Sequence, residues 1–159
     1  MPDTMTREQR HHCMSRIKGK DTRPEMVVRR YLHARGFRYS LHVRRLPGCP
    51  DMVLRKYHTV IFINGCFWHG HPDCDKFRMP RSNVEFWQEK IRRNKERDSR
   101  DVSALEALGW NVIVVWECEL AKPVMKETLQ NLAEAVRRNI EPESIYHIPL
   151  SVRKLSLKE

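Results

Sequence analysis

No apolar run in this 159-residue chain approaches the roughly 20 residues that cross a bilayer as a helix. The opening MPDTMTREQRHHC also lacks the apolar stretch of a secretory signal. Together these absences exclude a helical membrane protein, and a cytoplasmic location is expected. There is no internal repeat, no low-complexity tract and no composition shift that would mark a domain boundary, which argues against a solenoid or a linker-joined pair. Acidic residues are in short supply: 20 Asp plus Glu against 30 Lys plus Arg, a net charge of +10 spread along the chain. That imbalance favours a polyanionic partner, most simply nucleic acid, over a solvated basic surface with no partner. An even cysteine count is missing too. Five thiols in a reducing compartment speak against a disulfide framework and leave metal binding or plain burial.

What is present reads as one domain of about the usual size. Residues 5 to 20 are polar and basic and are expected to form an irregular or marginally helical arm, counted here as residues 1–20. Asp21 to Arg35 carries helix signals: Asp21 or Thr22 as N-cap, Pro24 in the first turn, apolar pairs at Val27/Tyr31 and Val28/Leu32, and a closing Gly36. FRYSLHV alternates like a strand, and DMVLRKYHTVIFI reads as two short strands turned around Arg55 to Tyr57, ending at Asn64-Gly65. A long helix follows, with a stripe of Val84, Trp87, Ile91, Val102, Leu105 and Leu108 that Asn94 and Asp98 interrupt. WNVIVVW is a buried strand, and Thr128 to Asn139 a terminal helix. The order helix, strands, helix, strand, helix predicts an α/β architecture around a central sheet, over residues 21–159.

The segment INGCFWHGHPDCDKF holds Cys66, His69, His71 and Cys74 around Phe67-Trp68. Cys66, His71, Cys74 and the distant Cys118 make a Cys3His set suited to structural Zn2+, which would pin a loop poor in apolar surface to the sheet edge. Buried thiols beside an incidental histidine are the alternative, and spacing alone does not choose between His69 and His71 as the ligand. In LPGCPDMVL, Asp51 stands at a strand start, where many Mg2+-dependent nucleases hold a metal; a simple turn aspartate is the commoner reading. The acid and lysine such enzymes carry on the next strand are absent, since that strand ends Phe62-Ile63-Asn64. Oxygen from a main-chain carbonyl or water would then complete the Mg2+ shell, and a histidine such as His69 would replace the lysine as base. Glu25 could add a carboxylate from its helix, although Thr22-x-x-Glu25 equally fits a capping box.

In this order and at these separations, LPGCPD, VIFINGCFWHGHPDC, EFWQEKIRRNKERDSRD and LGWNVIVVWECEL closely resemble the very short patch repair (Vsr) endonucleases, over roughly residues 5 to 120. The resemblance implies a restriction-endonuclease-like fold and a strand-specific nick on the 5′ side of the thymine in a T:G mismatch in double-stranded DNA. Such mismatches arise by deamination of 5-methylcytosine. It implies Asp51 and the main-chain carbonyl of Ile63 as Mg2+ ligands, His69 as the base, and Glu25 holding metal-bound water. Cys66, His71, Cys74 and Cys118 would bind Zn2+. Phe67, Trp68 and Trp87 would wedge into the DNA beside the mismatch, with Met14 assisting from the minor groove. A monomer in the bacterial cytoplasm, at the nucleoid when bound, is expected, with mismatch-repair proteins and a repair polymerase as candidate further partners. Where the family commonly has Thr-His this chain has Ile63-Asn64, and the knuckle carries one additional residue before Cys74. A zinc-stapled protein that binds mismatched or distorted DNA without cutting is the rival reading, and a nuclease of the same fold with another target is a third.

Overall fold

The computed structural model describes residues 5–139; the first four residues of the expected arm, and residues 140–159 of the expected domain, lie outside the described residues. The arm is more regular than its composition suggests. Thr6 caps a helix α1 (Arg7–Ser15) by accepting from Gln9 N at 3.1 Å, and the Gln9 side chain accepts from Thr6 N at 2.9 Å. That reciprocal pair satisfies two end donors at once and offsets the weak apolar content, so the stretch expected to be irregular or marginally helical forms a helix over Arg7–Ser15. None of its residues is buried.

Helix α2 (Arg23–Ala34) starts at the Thr22 cap with Pro24 in the first turn, and buries Val28 and Leu32. Gly36 follows at φ 86°, the left-handed position that lets the chain reverse so that Phe37 N reaches Leu32 O at 3.1 Å. The strand expected over FRYSLHV shrinks to β1 (Ser40–Leu41). At one end Phe37 is taken into the core, and at the other His42 turns to φ 46° and ends the extended run. β2 (Met52–Leu54), a 3-10 turn at Arg55–Tyr57 and β3 (Thr59–Asn64) follow as expected.

Helix α3 (Val84–Ala107) returns the chain to β4 (Asn111–Trp116). The expected stripe is buried only at Ile91 and Leu105, while Val84 and Leu108 remain exposed. Twenty-four residues at 1.5 Å each give a rod of about 36 Å, longer than the six-residue strands beneath it, so both ends overrun the sheet. The last helix, α4, spans Lys122–Arg138. It begins earlier than Thr128 because Pro123 presets the first turn, and it buries Leu129, Leu132, Ala133 and Val136.

The four strands form one sheet in the order β1-β2-β3-β4, antiparallel except for the β3–β4 pair, which is parallel with Ile63 opposite Val115. Alternation divides each strand between two faces. Met52, Leu54, Ile61, Ile63, Ile113 and Val115 pack with Val28, Leu32, Leu129, Leu132 and Val136 from α2 and α4. The opposite face carries Val53, Val60 and Leu105, then Cys66, Val114 and Trp116. The chemistry gathers on this second face, at the ends of β2, β3 and β4 beneath α3.

Candidate active site and metal cluster

Beyond β3 the loop from Gly65 has little apolar surface and folds on its own backbone: His69 N donates to Gly65 O at 3.3 Å and His71 N to Cys66 O at 2.9 Å. Gly70, at φ 59°, lies tight against α3; a Cβ there would meet Lys95 Cε at 2.4 Å and Ile91 Cγ2 at 2.7 Å. This close approach sends the two flanking histidines in different directions. His71 goes to the cysteines and stacks on Trp116 with 4.1 Å between ring centroids. His69 goes to α3, with Nδ1 2.5 Å from Asp98 Oδ2.

The ligand atoms of Cys66, His71, Cys74 and Cys118 all lie within 4.8 Å of one another, and His71 Nδ1 is 3.4 Å from Cys118 Sγ. Tetrahedral sulfur ligands about 2.3 Å from a zinc ion stand about 3.8 Å apart, so both the donor set and its spacing fit Zn2+. Burial pushes the Cys66 thiol up to about 12 and raises that of Cys118 as well. The Cys74 thiol is lowered because the backbone N–H of Lys76 and the neighbouring thiols outweigh its own burial. A cation at the centre would favour all three thiolates together.

Asp51 sits just before β2. Its Oδ2 accepts from the backbone N–H of Ile63 on β3 at 2.7 Å. In an extended strand the N–H and C=O of one residue share an edge, so the Ile63 carbonyl also faces the Asp51 side. Burial raises the Asp51 carboxyl to about 6; the Ile63 N–H, the His42 ring and the Arg29 guanidinium oppose this, and the charge of Glu25 adds to it. A carboxylate held against its own ionisation is a ready site for a divalent cation.

Glu25 is 3 % exposed and serves the helix start and the site together. Its carboxylate accepts from Asp21 N at 3.0 Å and Thr22 Oγ1 at 3.1 Å, and pairs with Arg29 at 2.7 Å. His42, which the pattern of FRYSLHV did not single out, lies between the acids, with Nδ1 3.8 Å from Asp51 Oδ1 and Nε2 3.6 Å from Glu25 Oε2. Its left-handed backbone takes it off the strand, which is why alternation did not reveal it. Asn94 and Asp98, the two interruptions of the α3 stripe, acquire roles: Asn94 Nδ2 donates to Trp68 O at 2.8 Å and Asp98 holds His69. Glu25, His42, Asp51, Trp68, His69 and Asp98 border a cleft of about 1660 Å³, to which α3 adds Lys90, Lys95, Arg97 and Arg100.

Phe67, Trp68 and Trp87 form a half-buried cluster with centroids 5.2 to 5.9 Å apart, Phe67 meeting each tryptophan edge to face and the two tryptophans tilted against each other. Phe86, passed over in the sequence, extends it outward at 5.3 Å from Trp87 and is 59 % exposed. Met14 stands apart on α1 and is exposed.

Residues 2–76 match the family model described as DNA mismatch endonuclease Vsr. The chain is 47 % identical over 138 residues to the type II nicking enzyme V.NmeAIP of Neisseria meningitidis serogroup A, covering 86 % of this chain and 98 % of that relative. It is 43 % identical over 120 residues to the DNA mismatch endonuclease Vsr of Escherichia coli K12, covering 76 % of each. To the type II nicking enzyme V.HpaIIP of Haemophilus parainfluenzae it is 38 % identical over 130 residues, covering 80 % of this chain and 92 % of the relative.

Proposed function

Because the chain belongs to the Vsr family of DNA mismatch endonucleases, we propose that it is a Mg2+-dependent enzyme of restriction-endonuclease-like fold that nicks one strand of double-stranded DNA, 5′ to the thymine of a T:G mismatch. The nick would start very short patch repair of deaminated 5-methylcytosine. That the chain is a DNA endonuclease with DNA as its partner follows from the family. The observation that carries the proposal is the pairing, across one cleft, of a half-buried carboxylate and a carboxylate-bound histidine.

Asp51 and the Ile63 carbonyl would hold Mg2+, which when bound neutralises charge on the scissile phosphate and makes water more acidic. His69 accepts the proton of the attacking water. Asp98 accepts from Nδ1–H, which leaves Nε2 as the unprotonated acceptor and stabilises the imidazolium that forms. Glu25, buried against Arg29, keeps negative charge beside Asp51 and orients water from the second rank. Lys90, Lys95, Arg97 and Arg100 offer positive charge to the phosphates along the cleft. The names of the nicking relatives support cutting of one strand.

Recognition rests on deformability. A T:G wobble stacks weakly, so opening it costs only a few kcal/mol, and Phe67, Trp68 and Trp87 regain stacking by insertion, with Met14 reaching the minor groove. Zn2+ held by Cys66, His71, Cys74 and Cys118 would stiffen the loop that carries both the wedge and His69. Asp51→Ala tests the reading: nicking of a T:G duplex should vanish while binding stays within a few fold, because a metal-holding carboxylate acts on the transition state more than on docking. Parental activity in Asp51→Ala would remove Asp51 from the mechanism, and a parent protein that only binds would favour the non-cleaving alternative.

A further inference from the structure

Asp21, Glu25 and His42 bring their ligand atoms within 4.8 Å of one another, a grouping able to hold a metal. Their point of convergence already contains a cation. The guanidinium of Arg29, 8 % exposed, donates to Asp21 Oδ1 at 2.7 Å and to Glu25 Oε2 at 2.7 Å, and its Nη2 lies 2.9 Å from His42 Nε2. A guanidinium only donates. Nε2 of His42 is therefore the acceptor, and the ring proton sits on Nδ1, the nitrogen turned toward Asp51 Oδ1 at 3.8 Å. That separation makes the contact electrostatic and not a hydrogen bond.

The backbone supports the same assignment. His42 occupies the left-handed region at φ 46°, a conformation that is unfavourable for a non-glycine residue and that gathers at functional sites. Its own N–H donates to Asp51 O at 3.3 Å, so main chain and ring both address one residue. Asp51 Oδ2 is fixed by Ile63 N–H, and opposite Oδ1 stands His42 Nδ1.

We propose that His42 is a positioning residue for the metal-holding carboxylate: anchored on Arg29 through Nε2, it turns Nδ1–H toward Asp51 and sets the orientation in which that carboxylate meets Mg2+. The proposal deepens the endonuclease reading and rests on its assignment of Asp51. Partners behind a metal ligand typically change metal affinity or activity by roughly 10- to 100-fold when removed.

Two substitutions isolate the ring from the strained backbone, because glycine and asparagine both tolerate left-handed φ. His42→Gly deletes the side chain, and His42→Asn returns an amide donor to the place of Nδ1. Mn2+ binding to the zinc-loaded, DNA-free protein is followed by electron paramagnetic resonance, beside the Mg2+ dependence and KM of T:G nicking and the thermal midpoint. His42→Gly should weaken Mn2+ binding and raise the Mg2+ requirement by roughly 10- to 100-fold, with KM for DNA unchanged and the thermal midpoint at or above the parent's. His42→Asn should recover most of the loss. Parental Mn2+ affinity in His42→Gly would overturn the proposal. So would His42→Asn being as impaired as His42→Gly, since the imidazole itself and not its donor would then be required. A parent that binds Mn2+ but nicks nothing would sink the endonuclease reading, while the Mn2+ comparison still decides the role of His42.

Discussion

At Asp51 the protein resists the charge that the proposed Mg2+ site needs. The carboxyl is raised from 3.8 to about 6, chiefly by burial. Between those two values the unfolded chain releases its proton and the folded protein keeps it, so stability falls as pH rises through about 4 to 6. Above that window a constant cost on the order of 3 kcal/mol remains. In Mg2+-free buffer, with zinc retained, Asp51→Asn should be more stable than the parent at pH 7.5, and the gap should close toward pH 4; added Mg2+ should stabilise the parent alone. Thermal unfolding across pH measures this, and a gap that does not change with pH would show that Asp51 ionises freely. Gly70 is the second residue that decides locally. Lys95 can swing from an added methyl, whereas the buried Ile91 cannot, and φ 59° remains unfavourable to alanine. Gly70→Ala should lose about 1–3 kcal/mol in denaturant unfolding; an unchanged midpoint would mean that the loop does not need its close seat on α3.

At the scale of elements, the knuckle loop and α3 act as one body. The sequence pattern yielded α2, β2, β3, α3 and β4, because each has a period that burial enforces. It also showed Asn94 and Asp98 as flaws in an apolar stripe, without showing what they hold, because their partners lie on a loop with no period. His42 and Arg29 were hidden for a related reason: a left-handed residue and a buried cation leave no repeating mark. The α1 capping box was legible in Thr6 and Gln9 and was outweighed by the polar composition. If zinc ties this loop to the end of β4, Cys118→Ser should lower zinc content and global stability together, since the ion's binding free energy is folding free energy. One zinc per chain retained in Cys118→Ser would break the ligand set. The wedge gives the other prediction of this scale. Asn94 anchors Trp68 by its backbone oxygen, so Trp68→Ala truncates the ring without releasing the loop. T:G binding should weaken by about 1–3 kcal/mol and C:G binding far less, in paired titrations at one salt concentration. An unchanged ratio between duplexes would assign Trp68 to packing and discrimination to other groups.

For the whole molecule, the sheet separates two tasks. One face is a core closed by α2 and α4, and the other is a cleft roofed by α3, with acids at its floor and basic residues on its wall. A net charge of +10 makes general DNA affinity strong and salt-dependent whatever the sequence. Binding alone is therefore weak evidence of purpose, and cutting is the stronger test. The decisive measurement is a T:G duplex with its two strands differently labelled, incubated with zinc-loaded protein with and without Mg2+ beside the matched C:G duplex. The expected result is one Mg2+-dependent nick, in the thymine strand, 5′ to the mismatched base, and an intact C:G duplex. Equal cleavage of both duplexes, or binding of T:G with no break in either strand, would contradict a mismatch-directed nicking enzyme.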